Sequence, residues 1–254
     1  MPDTVNGWTT DVAPHLQHRG CPRRTRSPTT RPSSPTVGFN PNIVDIDIIP
    51  CFTAGTMIRT VDGDVAVRDL RVGDPVLTKD HGPQPVRWIG RRKLGAHTLQ
   101  ASPHLRPVRI RAGALGAKTP TTDLLGSPQH RILVRSQIAQ RMFGTMEVLS
   151  PAKQLLQMDG IDLVTDLAEV EYLHILFDRH EIIISNGAET ESLYTGAEAL
   201  KSVGPAARAE ILALFPELAD DTTVPEAARL LASGRPARKM AVRHIENSKP
   251  LVRR

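Results

Sequence analysis

The sequence predicts a mostly β domain over residues 43–196, followed by a short helical extension. Three features predict this organisation: a change of composition near Asn42, many short strand-like runs after it, and helical spacing of apolar residues beyond Gly204. The chain has 254 residues, of which 40% are hydrophobic and 23% charged. This length and composition suit one medium domain with tails.

Residues 1–42 are predicted to form a disordered, basic segment rich in Pro and Ser. Few residues between Pro14 and Pro41 are apolar, so the segment cannot bury enough surface to offset its loss of conformational entropy. The first residues lack a basic start followed by an apolar block, so we predict no secretory signal and take the cytoplasm as the default compartment. No run reaches the ~20 apolar residues of a transmembrane helix, so we expect no membrane partner.

The β domain is predicted from period-two alternation interrupted by Gly, Pro and Asp. The run IVDIDII at 43–49 alternates apolar and acidic residues, as a half-buried strand does. Many short strands at this spacing are typical of an all-β domain. Within it, PAKQLLQ at 151–157 predicts one or two helical turns. The other predicted strands contain TMIRT, VAV, PVLT, PVRWI, PVRIR, HRILV, MEVLS, DLVTDL, EYLHILF and EIII.

Residues 197–234 are predicted to form the helical extension. Pro205 suits the first position of a helix, and Ile211, Leu212 and Phe215 follow at helical spacing. The run VPEAARLLASG predicts a second helix that stops at its glycine. The last segment, 235–254, is predicted to be a frayed basic tail.

The formal charge of +5 is unevenly distributed along the chain. Residues 1–40 carry +3 and residues 235–254 carry +6, which leaves −4 for the remainder. Because the basic residues are concentrated in the two terminal segments, we interpret them as solvated tails and expect no nucleic-acid partner.

The two cysteines, Cys21 and Cys51, form neither a CxxC metal motif nor a disulfide framework. Cys51 directly follows a predicted strand, in IIPCFTAGT. It can be a buried cysteine that packs as a small apolar residue, or a nucleophile, since the thiolate is the strongest nucleophile among the side chains. Local features leave both interpretations open.

Two later motifs contain residues suited to proton transfer. Ser127 and His130 lie in SPQHRILV, just before a predicted strand, and Asp178 and His180 lie in a polar DRHE insert between two apolar strands. A histidine held by neighbouring groups can act as an acid or base, and a carboxylate beside an imidazole tunes its pKa. Each motif can equally be an ordinary turn with a side-chain cap.

Taken in this order, the motifs resemble the Hedgehog/intein (Hint) domains, in particular those of bacterial Hint-domain proteins. The resemblance covers about residues 49–196 and implies a compact, horseshoe-like β fold with two pseudo-symmetric halves. The motifs that carry it are CFTAGT (51–56), DLRVGDPVLTKDHGPQPVRWIGRR (69–92), SPQHR (127–131) and LHILFDRHE (173–181).

The resemblance implies autocatalytic processing, in which Cys51 attacks the carbonyl of Pro50 and converts the peptide bond into a thioester. His130 matches the histidine of the family's Thr-x-x-His box and would donate a proton to the departing nitrogen. Ser127 takes the threonine position. Asp178 and His180 fall in the family's late acid/base region. Pro50 has a fixed φ, which restricts the approach of the thiol to its carbonyl.

Splicing is not expected, because the family's terminal His-Asn pair is missing: Ser185 precedes Asn186, and Gly187 follows it. The thioester would then be resolved by water or a small nucleophile. The substrate would be the chain's own N-terminal segment, processed once by a monomer without cofactor or metal.

Two alternatives remain open. The domain can be an inactive Hint scaffold in which Cys51 is a core residue. It can also be a metal hydrolase, although the histidines concerned lie on different predicted elements and lack HxxxH or HxH spacing. Those histidines are His97, His104, His130, His174 and His180.

Overall fold

The structure is a computed structural model, which describes residues 50–220 and 225–253 together with the backbone of residues 4–5 and 8–9. Most of its regular structure is β, arranged in two sheets, with helices concentrated after residue 196. The prediction of a mostly β fold with a C-terminal helical extension is confirmed. The predicted strand at 43–49 lies outside the described residues, and so does most of the segment 1–42 that was predicted to be disordered. Its residues 4–5 and 8–9 form two short strands instead.

The elements are short and follow one another closely. The strands are β1 (Thr4–Val5), β2 (Trp8–Thr9), β3 (Phe52–Thr53), β4 (Met57–Thr60), β5 (Gly63–Ala66), β6 (Pro75–Thr78), β7 (Gly82–Pro85), β8 (Trp88–Leu94), β9 (Val108–Ile110), β10 (Leu124–Gly126), β11 (Arg131–Arg135), β12 (Glu147–Pro151), β13 (Ile161–Leu163), β14 (Val170–Leu176), β15 (Ile182–Ser185), β16 (Ala188–Glu191) and β17 (Leu230–Leu231). The α helices are α1 (Ala96–Ala101), α2 (Gln137–Phe143), α3 (Ala197–Ser202), α4 (Pro205–Leu214) and α5 (Gly234–Glu246). Short 3-10 helices span Val67–Asp69, Pro103–Leu105, Ala152–Gln154 and Pro216–Ala219.

The first sheet has the strand order β1-β2-β8-β14-β3-β10-β9-β13, and the second has the order β17-β12-β11-β16-β15-β4-β6-β7, with β5 paired to β4. Strands β8 and β14 pair antiparallel along all seven residues of each. Every predicted strand run within the described residues overlaps an observed strand. The helical turn predicted at 151–157 is a single 3-10 turn.

Strand β3 is only two residues long, but it lies between β14 and β10 in the first sheet. Phe52 is opposite Leu173 of β14 on one side and opposite Gly126 of β10 on the other. Because paired antiparallel strands run in opposite directions, the residue that precedes Phe52 lies opposite the residues that follow Leu173 and Gly126. Cys51 is therefore brought between His174 and Ser127, which are far from it in sequence.

The helical extension is confirmed in part. Pro205 occupies the first turn of α4, and Ile211 is fully buried, as predicted. The second helix predicted at 224–234 is wrong, because Leu230 and Leu231 form a strand that runs parallel to β12. Pairing with a sheet edge outweighs the helical propensity of this run.

The frayed tail predicted for 235–254 is also wrong for residues 235–246, which form α5. Ala237, Met240, Ala241 and His244 lie on one face of this helix and are fully buried. Their spacing of three and four residues is that of an amphipathic helix, which the high density of basic residues concealed. Among the described residues, no helix is both long and apolar enough to cross a membrane.

Candidate active site

Cys51 lies at the end of the segment that enters β3, and its side chain is 1% exposed. Within the described residues, its sulfur forms no disulfide bond. It belongs to an apolar cluster with Trp88, Tyr172 and Leu176, so burial alone is consistent with an ordinary core cysteine. The polar contacts of Cys51 distinguish it from an ordinary core cysteine.

His174 contacts both the thiol and the peptide carbonyl before it. Its Nε2 atom lies 3.4 Å from Cys51 Sγ, and its Nδ1 atom lies 2.6 Å from the carbonyl oxygen of Pro50. A carbonyl oxygen can only accept a hydrogen bond, so Nδ1 of the neutral ring carries the proton and donates it. Nε2 then presents its lone pair to the thiol. One imidazole therefore polarises the carbonyl and can accept the proton of the adjacent sulfur.

Ser127 holds the other side of Cys51. The Cys51 backbone N–H donates to Ser127 Oγ at 2.9 Å, and the Ser127 backbone N–H donates to the Cys51 carbonyl at 2.9 Å. The nitrogen of the Pro50–Cys51 bond is therefore bonded to Ser127, whereas the resemblance had assigned this contact to His130. Ser127 is 2% exposed, so water does not replace this bond readily.

His130 lies on the same turn, with its backbone N–H bonded to the Ser127 carbonyl. Its ring packs edge-on against Phe52, with ring centroids 4.3 Å apart. Gly126 makes this approach possible: a Cβ atom there would lie 3.2 Å from the Cys51 carbonyl oxygen and 3.3 Å from His130 Cβ. Among the described residues, neither ring nitrogen of His130 has a hydrogen-bond partner. The ring is thus a buried acid/base group held beside Cys51.

Burial keeps the groups of this site neutral at rest. It raises the pKa of the Cys51 thiol, although the hydrogen bond of Ser127 and the positive charge of Arg92 act in the opposite direction. It lowers the pKa of His130 to about 4 and that of His174 to about 3. A neutral thiol facing a neutral imidazole means that the thiolate forms only as the proton is transferred.

These two histidines predict an acid-sensitive fold. An exposed histidine has a pKa near 6.5, so between pH 6.5 and 4 the unfolded chain binds protons that His130 and His174 do not bind in the folded state. Stability therefore falls as the pH falls, by up to about 1.4 kcal/mol per pH unit for each histidine. Urea unfolding at pH 7 and pH 5 should show a loss of about 4 kcal/mol, which His130→Gln should reduce. An equal stability at both pH values would contradict this.

The other predicted pair lies apart from these contacts. Asp178 is exposed and accepts a hydrogen bond from Arg87 Nε at 2.8 Å. His180 is buried, with Nε2 3.3 Å from the fully buried carboxylate of Glu191 and Nδ1 accepting from the Ala228 backbone. Both line a cavity of about 630 Å³ that also borders the C-terminal extension. Their role in catalysis remains a prediction.

Asn186 is fixed as part of a turn. Asn186 and Gly187 have φ values of +46° and +77° and connect β15 to β16, as in a type I′ hairpin turn. The Asn186 carboxamide accepts from the Met57 backbone N–H at 2.7 Å and donates to the Asp123 carbonyl at 2.8 Å. Attack of this amide on its own backbone carbonyl would require both bonds to break.

Sequence reasoning missed the positions of His174 and Arg92 beside Cys51. His174 appeared there only as a candidate metal ligand, because it lies within the apolar run YLHILF and resembles a core residue. A polar, titratable side chain in the middle of a buried strand is the signal that could have identified it. His97 and His104 are exposed, and among the described residues no group of three or more His, Cys, Asp or Glu side chains could hold a metal ion.

The fold and the site together define a β domain with a buried thiol poised beside its own preceding peptide bond. A family model described as "Hint domain" matches residues 50–197, more than half of the chain. The chain belongs to the Hint domain family, and membership implies a capacity for protein self-processing in general. No curated protein matches the chain.

Several solved structures resemble this chain over slightly more than half of its length. The MchDnaB-1 intein has 15% sequence identity and a TM-score of 0.36, and the match covers 56% of this chain and 98% of the intein. A bacterial intein-like domain from Clostridium thermocellum has 15% identity and a TM-score of 0.35, covering 56% and 97%. A DnaB intein from Synechocystis sp. PCC 6803 has 9% identity and a TM-score of 0.33, covering 56% and 98%. At these values the assignment rests on the family model.

Proposed function

We propose that this protein cleaves itself once, by an N-to-S acyl shift at the Pro50–Cys51 bond. The observation that carries the proposal is the position of His174, whose two ring nitrogens contact the Cys51 thiol and the Pro50 carbonyl oxygen. A base for the nucleophile and a hydrogen-bond donor for the developing oxyanion are both needed for acyl transfer. A core cysteine requires neither.

The reaction begins when the Cys51 thiol transfers its proton to Nε2 of His174. The sulfur then attacks the carbonyl carbon of Pro50, and the negative charge that develops on the oxygen is stabilised by the Nδ1–H of the same ring. The resulting imidazolium lies beside the oxyanion, so the two charges stabilise each other. Arg92 adds positive charge near the sulfur and further favours the anionic form.

Collapse of this intermediate breaks the carbon–nitrogen bond and requires a proton on the nitrogen of Cys51. Ser127 Oγ already contacts this nitrogen, and we assign proton delivery to Ser127 together with His130 on the same turn. His130 has both ring nitrogens free of hydrogen bonds within the described part of the chain, so after a small movement it can relay to this nitrogen the proton that His174 took from the thiol, which returns His174 to its neutral form. The product is a thioester between Pro50 and Cys51 with a free α-amine.

Resolution of the thioester separates residues 1–50 from residues 51–254. Water or a small nucleophile attacks the acyl carbon, the carbon–sulfur bond breaks, and the thiol regains its proton. Splicing would need release by cyclisation at Asn186, whose side chain is held at both ends by Met57 and Asp123. Hydrolysis or transfer to a small nucleophile is therefore the favoured outcome.

The proposal is tested by incubating the purified full-length protein with hydroxylamine or a small thiol and measuring intact mass over several days. We expect an N-terminal fragment ending at Pro50 as its hydroxamate or thioester, and a second fragment beginning with Cys51. An unchanged full-length mass after days in hydroxylamine would refute the proposed activity.

Ser127 gives a graded prediction. Ser127→Ala removes the acceptor of the Cys51 N–H and should slow cleavage about 10- to 100-fold, with a loss of about 1–3 kcal/mol in stability from the unsatisfied amide. Ser127→Thr keeps the hydroxyl and should cleave within a few-fold of the wild-type rate. Cleavage rates and urea unfolding of the two variants check this, and equal rates for alanine and threonine would show that the hydroxyl has no role in the reaction.

A second candidate function, an inactive Hint scaffold, is favoured by the 1% exposure of Cys51. A buried thiol should resist alkylation by iodoacetamide in the folded state and react only after unfolding. Slow alkylation combined with no cleavage in hydroxylamine would select this alternative. Slow alkylation combined with cleavage is compatible with the proposed intramolecular attack, since that step needs no external reagent at the sulfur.

A further inference from the structure

A pocket of about 420 Å³ lies between α2, α5 and the residues that follow α5. We call it the basic pocket, because its charged lining consists of four cations and one carboxylate. Arg141 comes from α2 and Arg243 from α5, and Lys249 and Arg253 come from the segment after α5. Three of the basic residues near the C-terminus therefore converge on one site with Arg141 of α2.

The four cations lie together without an acidic partner in the part of the chain that the structure describes. Within the described residues, none of their nitrogen atoms lies within 4.0 Å of a carboxylate oxygen, and Glu246, the one acid in the lining, forms no such pair. Several arginines elsewhere are paired directly with acids: Arg109 Nη2 lies 2.7 Å from Asp162, and Arg229 bridges Asp80 and Glu147. The described lining residues of the basic pocket therefore carry a net formal charge of +3, which favours the binding of an anion.

The pocket is held in place by a buried histidine. His244 is fully buried; its Nε2 lies 3.0 Å from Ser136 Oγ, and its Nδ1 lies 3.1 Å from the Lys249 carbonyl oxygen. Ser136 in turn caps α2 by accepting the Ala139 N–H. This chain of hydrogen bonds joins the three segments that carry the cations. The fully buried Leu251 and the bond from Arg253 N–H to the Arg135 carbonyl fix the last segment.

We propose that the basic pocket binds a small anion through a phosphoanhydride group, either free pyrophosphate or the diphosphate of a nucleotide. Three guanidinium groups match phosphate oxygens by paired hydrogen bonds. A single phosphate group carries about −1.5 to −2 charge at neutral pH, so two linked phosphates match the pocket's charge better than one. The volume also exceeds that of an isolated phosphate and lies in the range of small-ligand pockets.

A nucleic acid is the less favoured occupant. Tight binding of duplex DNA relies on roughly six to ten phosphate contacts along an extended face. The basic pocket offers four cations around a single concave site. This proposal is independent of cleavage at Pro50, because none of the pocket residues belongs to the site around Cys51.

The test is isothermal titration of the full-length Cys51→Ala protein, which keeps the chain uniform whether or not it cleaves. Pyrophosphate, ADP and adenosine are the ligands, at physiological ionic strength. We expect pyrophosphate and ADP to bind and adenosine not to bind. Tighter binding of ADP than of pyrophosphate would assign a nucleotide, and equal binding would assign the diphosphate alone.

Arg243→Gln and Arg253→Gln should each weaken binding by about tenfold or more, as expected for loss of a charge-assisted hydrogen bond. Arg235→Gln is the matched control, since it removes the same charge from the same helix as Arg243 without lining the pocket. Thermal unfolding verifies that all three variants fold. The proposal is overturned if pyrophosphate and ADP do not bind at millimolar concentration, or if Arg235→Gln weakens binding equally. It is also overturned if duplex DNA binds through Arg243 while pyrophosphate fails to compete.

Discussion

The Cys51→Ala protein is expected to remain full length under conditions in which the wild-type chain loses residues 1–50. The substitution removes the sulfur that attacks the Pro50 carbonyl, and His174, Ser127 and His130 cannot form the thioester without it. Cleavage should fall below detection, because the uncatalysed hydrolysis of a peptide bond is slower by many orders of magnitude. Intact-mass spectrometry during incubation with hydroxylamine measures the effect.

Cys21→Ala is the matched control, since it removes the other cysteine of the chain. This variant should cleave at the wild-type rate and yield the same C-terminal fragment. If Cys51→Ala still released residues 1–50, the cleavage would arise from a contaminating protease or another residue. If Cys21→Ala were inactive as well, the assignment of the nucleophile would have to change.

The His174→Gln protein is expected to cleave at least about 1,000-fold more slowly than the wild type. Glutamine can still donate a hydrogen bond towards the Pro50 carbonyl, but it cannot accept the thiol proton. Loss of a general base typically costs 10²- to 10⁴-fold, and loss of an oxyanion donor costs about 10²- to 10³-fold. His174→Ala removes both functions and should be slower still. Rates of fragment release in hydroxylamine compare the variants.

His97→Gln controls for the general effect of removing a histidine, because His97 is exposed on α1. Urea unfolding should show that His174→Gln folds, with its stability less dependent on pH between 7 and 5 than that of the wild type. A folded His174→Gln protein that cleaves within threefold of the wild-type rate would remove His174 from the mechanism. The reaction would then have to depend on His130 or on the pair Asp178 and His180.

The sequence alone predicts the β domain and part of the site. Cys51, Ser127 and His130 lie in short motifs next to strands, where local residue order determines position, and the structure brings these three together. The same is true of α4, whose first turn is marked by Pro205. Such features depend on interactions within a few residues, so they can be read from the chain directly.

The parts of the fold and site that the sequence does not predict depend on which strands become neighbours. His174 meets Cys51 because Leu173 pairs with Phe52, 121 residues earlier in the chain, in the register of β14 and β3. A shift of one residue would turn His174 to the opposite face, and no local pattern specifies this register. Arg92 is carried to the site in the same way, through its pairing with Tyr172. The strand at Leu230 and Leu231 was missed because its partner, β12, lies about 80 residues earlier in the chain.

The packing of α5 has a consequence for where this domain can be cut. The family match ends at residue 197, yet Met240, Ala241 and Leu251 are fully buried in the cluster that includes Ile132 and Val148. A fragment that stops at the family boundary would leave the second sheet with an uncovered apolar surface, prone to self-association. The segment that must fold together is therefore longer than the segment that matches the family, 50–197. Recombinant fragments should extend at least through Val252.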